Sequence, residues 1–454
     1  MSEQHAHHAP SGLLRILGLA FGLAVVVGGM IGSGIMRAPG VVAQGITSGP
    51  LMLLAWTLGG AVAMIAAMPL VEAGASVPLA GGTYPIARRA FGPAVGFVTA
   101  WISWLSYTAA TGFISVVFGE YLHRLGIATQ LPVSALAVGL IFIVGAINWT
   151  GTRISGGSQS VASAIKGAVV LALGAMLLVS RHTPAAATAP VTAAHAAGAL
   201  VGVTSISALI MAIRVIYQTY AGWEGCIVFS EEVHRPEHNI ARSAFGGIAT
   251  VTVLYVLVVA AVLHVLGAPA MAGSALAMGD AAKALLGPVG DVVITAIGLF
   301  SMAALVNLQV MMTPRIVYGM ARDGALPPAM AKVAANGTPR WGLIVGVVGA
   351  SLIAGTGSYE SIVRIYSPWN MGAILMICLS AIRLRIAEPD LPRPFKMPLF
   401  PWTAIFAAAI QAGLMVVVIW DDPVDGLWSA LVAFAPLPVY LAFAKSWRLA
   451  AARG

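Results

Sequence analysis

Two short runs carry glycine into the middle of long apolar stretches: Gly28, Gly29, Met30, Ile31, Gly32, Ser33, Gly34, and Tyr220, Ala221, Gly222, Trp223, Glu224, Gly225. A helix that unwinds at membrane depth leaves peptide groups without partners, which is tolerated only where protein or a polar cavity satisfies them. An interruption in the first run would present the backbone N–H groups of Gly32, Ser33 and Gly34 at the start of a half-helix, whose positive end favours an anion. Unwound carbonyls around Val27 to Met30 and Tyr220 to Gly222 would accept hydrogen bonds from a cationic group. The competing reading is close helix packing, because pairs four apart such as Gly18/Gly22 and Gly28/Gly32 let backbones approach.

Three polar side chains stand in the same kind of apolar surroundings. Glu224 costs about 2.5–3.5 kcal/mol on insertion scales, so it is expected either to face a cavity or to be paired inside the bundle. Lys166 lies nine residues beyond Gly157; a helix starting there would carry it roughly 13 Å into the bilayer at ~1.5 Å per residue. It then acts as a fixed or proton-exchanging cation, or it snorkels back to water. Asn307 either lines a pathway or makes an interhelical hydrogen bond. Tyr220 and Trp223 either close over a bound group or serve as packing and interface residues.

The elements that must position these groups are apolar helices. In 454 residues, 59% are hydrophobic and only 9% charged, with mean hydropathy +0.91. That excludes a soluble enzyme and a disordered scaffold. Apolar cores recur at about 13–41, 50–73, 93–122, 131–149, 160–180, 203–230, 244–266, 288–312, 341–356, 361–381, 400–420 and 427–444. These twelve spans are continuous, unlike the alternating ten-residue strands of a barrel. The first is long, Gly-rich and not followed by a small-residue cleavage site, which excludes a cleavable leader. The paired glycine interruptions fall in spans 1 and 6, which open successive blocks of five, and that placement points to a transporter with inverted repeats.

The net charge of +8 is scattered at the ends of apolar runs, so it marks topology rather than a nucleic-acid face. With both termini in the cytoplasm, 17 of the 24 Lys and Arg fall inside, while Arg37, Arg124, Arg181 and Lys283 fall outside and Lys166, Arg214 and Arg364 lie within spans. His5, His7 and His8 sit in a polar tail without fixed geometry, and Cys226 and Cys378 imply neither a disulfide nor a metal spacing. No cofactor is expected. A channel would need a continuous polar pore, and a membrane-embedded enzyme a catalytic constellation such as HExxH, a nucleophile elbow or paired intramembrane aspartates. The Glu231–Glu232 pair is expected in a cytoplasmic loop as part of a solvated ion-pair network.

Six motifs resemble the amino acid–polyamine–organocation (APC) transporters: GMIGSGI at 29–35, YAGWEG followed by EEVHRPEHNIAR at 231–242, PLAGGTYPIARRAFGP at 78–93, RIVYGMARDGALP at 315–327, TPRWG at 338–342 and RPFKMPLFPW at 393–402. They cover nearly the whole chain in the family's order. The resemblance implies an all-α polytopic membrane protein of 12 transmembrane helices, with a five-plus-five inverted repeat and broken helices 1 and 6 (LeuT/APC-type). It divides the chain into a polar tail (1–12), a ten-helix transport core (13–396, with repeats about 13–181 and 203–385) and helices 11–12 with a short tail (397–454).

The same resemblance implies a secondary active transporter of amino acids in the cell inner (plasma) membrane, with a polyamine/amine antiporter of the same fold as the alternative. It places substrate binding at Val27, Met30, Ile31, Gly32, Ser33, Gly34, Tyr220, Ala221, Gly222 and Trp223, and gating or coupling at Glu224, Asn307 and Lys166. A lysine at this part of the fifth helix resembles the sodium-independent branches, working by proton coupling or by exchange. Expected partners are the amino acid or amine, the lipid bilayer and, in the coupled case, protons. Arg37 departs from the small hydrophobes usual after the first-helix motif and sets a purely neutral substrate in question. Arg37, Arg214 and Arg364 either steer anions or pair with Glu360 and lipid headgroups.

Overall fold

The structure is a computed structural model that describes residues 12–32, 34–180, 202–356 and 359–451. The tail histidines, Ser33, Arg181, Arg453 and the Glu360 side chain lie outside the described residues. The first expected span divides into α1 (Leu19–Met30) and α2 (Gly34–Gly45), bent by 46°. There follow α3 (Gly49–Ser76), α4 (Thr83–Phe91), α5 (Pro93–Arg124), α6 (Val133–Trp149) and α7 (Thr152–Val179). After the undescribed segment come α8 (Ile206–Thr219), a 3-10 turn (Trp223–Ile227), α9 (Pro236–Ala272), α10 (Ala277–Leu286) and α11 (Pro288–Arg322). The chain ends in α12 (Arg340–Gly355), α13 (Tyr359–Ala387), α14 (Trp402–Asp421), α15 (Pro423–Phe434) and α16 (Leu437–Ala451).

Among the described residues the only non-helical pairing is two isolated bridges, Leu17 with Val233 and Ile46 with Val203. Among the described residues, eight helices, with Pro423–Trp447 taken as one, are long and apolar enough to cross a membrane; the bent α1–α2 pair makes up to nine. Helices α6 and α12 are apolar but shorter, at 17 and 16 residues. The chain is thus an all-helical, multi-pass membrane protein. The weakest correspondence with expectation is span 203–230, where only the 14 residues of α8 are α-helical and the rest is turn.

Helix starts follow local chemistry. Proline occupies the first turn of α3, α5, α9, α11 and α15, where its missing N–H and fixed φ cost nothing. The innermost long helix is α5, 83% of whose apolar window is buried, packed on α11, α13, α4 and α6. It carries five hydroxyls through that interior by folding each onto its own backbone: Thr99, Ser103, Ser106, Thr111 and Ser115 donate to the carbonyls four residues earlier. These five are satisfied locally, whereas Thr108 Oγ1 and the Tyr121 hydroxyl of the same helix have no partner among the described residues.

Candidate functional site

The two interrupted segments meet backbone to backbone. A Cβ on Gly29 would lie 2.7 Å from the Gly222 carbonyl oxygen, and one on Gly222 would lie 2.6 Å from the Gly29 carbonyl. Gly222 also holds φ +111°, a conformation that side chains rarely adopt. By contrast a Cβ on Gly34 meets only Thr219, at 3.6 Å. Gly222→Ala is therefore expected to lose substrate binding at least about tenfold more than Gly34→Ala, since only the former combines strain with a backbone clash. Equal binding by the two purified variants would contradict this contact.

Helix α1 continues to Met30 and α2 starts at Gly34, so Gly28, Gly29 and Met30 still belong to the last turn of α1. Its terminal carbonyls are the ones a helix leaves without partners. The Val27 carbonyl takes the N–H of Ile31 at 3.0 Å. Lys166 Nζ donates to the Gly28 carbonyl at 2.9 Å and to the Ser301 carbonyl of α11 at 3.4 Å. The Tyr255 hydroxyl donates to the Met30 carbonyl at 2.6 Å and lies 3.2 Å from the Thr219 carbonyl of α8, so one proton faces both broken helices. Ser301 Oγ donates to the Ile31 carbonyl at 3.1 Å. Val27, Gly28 and Met30, three of the carbonyls expected to receive a cationic ligand, are thus already engaged by protein donors, each keeping a second lone pair.

Lys166 is 1% exposed and does not snorkel. The expected start of its helix needs correction: α7 begins at Thr152 rather than Gly157, with Gly151 at φ +130° before it, so the lysine sits roughly 21 Å along the axis at ~1.5 Å per residue. Tyr255, Ser301 and Ser163 were not singled out from sequence. A lone tyrosine or serine in an apolar run is common, and only the fold shows that these face an interrupted helix.

Glu224 is buried and accepts the Gly222 N–H at 3.0 Å; no cation pairs with it among the described residues. It borders two small cavities. One, about 20 Å³, includes Ser103, Ser106, Tyr107 and Asn370; the other, about 40 Å³, includes Tyr217, Trp223, Asn370 and Gln411. These volumes hold one to a few waters. Trp223 lines the second cavity. Tyr220 instead packs against Trp56 and Tyr255 and donates its hydroxyl to the Trp56 carbonyl at 2.8 Å. Ala221 lines the cavity beside Trp223.

Asn307 makes interhelical bonds. It accepts from Asn148 Nδ2 of α6 at 3.0 Å and donates to Gln159 Oε1 of α7 at 2.9 Å. Gln159 Nε2 continues to Ser163 Oγ, which donates to the Ala24 carbonyl of α1. Four helices are joined by this line, and Gly28 leaves it room: a Cβ there would lie 2.2 Å from Ser163 Oγ.

The sequence matches the amino acid permease family over residues 17–443. The chain belongs to that family. Similar proteins include the serine/threonine exchanger SteT of Bacillus subtilis (strain 168), 26% identical over 97% of this chain and 99% of that protein. The human cystine/glutamate transporter is 27% identical over 95% of this chain and 85% of its own length, and the mouse b(0,+)-type amino acid transporter 1 is 26% identical over 95% and 88%. The permease is accordingly a transporter rather than an enzyme.

At the arginine-rich end of the permease the expectation of a solvated network is overturned. Glu232 and Arg315 form a two-point ion pair at 2.9 and 3.0 Å, with side chains 1% and 2% exposed. Arg315 also donates to Thr152 Oγ1 and to the Met311 carbonyl, joining the segment after the second break, α11 and the start of α7. Next to it Arg322 pairs with Glu231 at 2.5 Å, and Arg88 pairs with Asp323. The stretch before α1 is laid along the same segment, Leu17 N–H to the Glu232 carbonyl at 2.9 Å and His234 N–H to the Leu17 carbonyl at 2.8 Å. Burial arises because three elements converge there, which a loop sequence does not disclose.

Proposed function

We propose that this permease exchanges amino acids across the cell (inner) membrane by alternating access, without sodium, through twelve crossings, ten of them built as two five-helix repeats. The arginine-rich end faces the cytoplasm in this reading, which carries both termini inside. The observation that carries it is the Lys166 ammonium bound to the Gly28 and Ser301 carbonyls. A fixed cation between α1 and α11 repels a second cation and donates its N–H groups to carbonyl oxygens that a metal ion would otherwise need as ligands. That one relative is named as an exchanger supports exchange over proton coupling.

The α-carboxylate is placed at the start of α2, against the N–H groups of Gly32, Ser33 and Gly34, where the half-helix dipole favours it. The ammonium is placed toward the carbonyls of Tyr220 to Gly222 and the remaining lone pairs of Val27 to Ile31. Trp223 bounds the pocket, Glu224 gates it from the bundle interior, and Asn307 holds α6, α7 and α11 in register while α1 and α8 move.

Thermal stabilisation of the purified protein tests this reading. A free L-amino acid at a hundred times its Kd should stabilise the fold by about 2.7 kcal/mol, and its methyl ester, lacking the anion, should give far less at equal concentration. Equal stabilisation by the ester would remove the carboxylate from the start of α2. Stabilisation by polyamines alone would replace amino acid exchange with amine antiport.

A further inference from the structure

Four described arginines lie at the end of the bundle assigned above to the outside, and three of them are paired: Arg124 with Asp291, Arg214 with Asp421 and Arg364 with Asp422. Arg37 has no carboxylate partner among the described residues, and its guanidinium lies 5.9 Å over the ring of Tyr121. It is exposed, as is Gly34 one turn earlier on the same face of α2. Helical side chains lean toward the N-terminus of their own helix, so Arg37 leans back over the turn that begins at the break.

A second observation marks the same place. Tyr121 is 3% exposed, yet its hydroxyl has no hydrogen-bond partner among the described residues. Its ring packs against Gly298 of α11, where a Cβ would lie 2.7 Å from it. One turn further along α11, Ser301 bonds the Ile31 carbonyl at the break. Arg37 thus stands about one helical turn, ~5 Å along the axis, beyond Gly34 at the start of α2, with its guanidinium beside the Tyr121 ring.

We propose that Arg37 and Tyr121 form a second anion subsite, which receives the side-chain carboxylate of an acidic amino acid whose α-carboxylate sits at the start of α2. This rests on the amino acid exchange proposed above and names its substrate class. A guanidinium and a phenolic O–H give a carboxylate charge-assisted bonds that a neutral amide of the same shape cannot match. Dicarboxylic amino acids of glutamate length have an extended carbon chain between two anionic ends, as two such positions a turn apart require.

Glutamate and glutamine form the test pair, since they differ in charge and not in shape. Full-length protein in proteoliposomes is expected to exchange L-glutamate with at least tenfold higher specificity, as Vmax/KM, than L-glutamine. In Arg37→Gln that ratio should fall at least tenfold, and Arg37→Lys should retain more of it. Tyr121→Phe should lower it severalfold. Should the variants not fold, the native protein still decides: L-glutamate γ-methyl ester should compete no better than glutamine, and the preference should shrink as ionic strength rises. A native ratio near one, or a ratio unmoved by Arg37→Gln, overturns the subsite while exchange of serine or glutamine leaves the transport reading standing. Absence of exchange of every amino acid would overturn the transport reading itself.

Discussion

Replacing Lys166 with Met is expected to cut amino acid exchange by at least about tenfold at matched surface expression, because two buried carbonyls lose their charged donor at roughly 1–3 kcal/mol each. Those carbonyls belong to different elements, Gly28 at the end of α1 and Ser301 in α11, so the ammonium is a tie between the two helices. Methionine fills nearly the same volume without the donors, which separates loss of the tie from loss of packing. In the native protein, uptake in sodium and choline buffers should agree, and an imposed inward proton gradient should change it little if the lysine remains charged. A strong dependence on the gradient would turn Lys166 from a fixed tie into a proton carrier. Full activity in Lys166→Met would remove it from the mechanism.

The second large effect concerns the buried Glu232–Arg315 pair. Removing one partner leaves the other charged and desolvated, which typically costs about 3–5 kcal/mol, whereas removing both and restoring volume costs much less. Glu232→Gln is therefore expected to destabilise the permease more than the double change Glu232→Leu with Arg315→Met. Since the pair joins the segment after the second break to α7 and α11, weakening it should also open that end of the bundle. Cys226, two residues from Glu224 and buried, reports this directly. In a Cys378→Ala background, an impermeant thiol reagent added to the side on which the pair lies should label Cys226 faster in the double variant than in the native pair. Unchanged labelling, or a double variant as unstable as the single one, would contradict a closing role for the pair.

The parts of this site that could be read in sequence are those in which one residue conflicts with its surroundings. Lys166, Glu224 and Asn307 are polar groups in apolar runs, and the glycine runs at 28–34 and 220–225 interrupt otherwise helical patterns. Their partners were not legible. Lys166 finds Gly28 across 138 positions and Arg315 finds Glu232 across 83, separations over which sequence pattern carries no distance. Tyr255 illustrates the same limit, since its hydroxyl matters only because α9 brings it between Met30 and Thr219. The fold class followed from hydropathy, but the second break was less regular than its apolar run suggested: glycine at 222 takes a left-handed conformation and the chain continues as a 3-10 turn rather than a second α-helical half.

Counterflow in proteoliposomes tests amino acid exchange at the broken helices most directly. Vesicles carrying the purified permease and preloaded with unlabelled amino acids should accumulate a labelled amino acid saturably, in choline as well as in sodium buffer, and empty vesicles should accumulate far less. Uptake that is linear in concentration and indifferent to preloading, or that occurs only when sodium is present, would contradict the account.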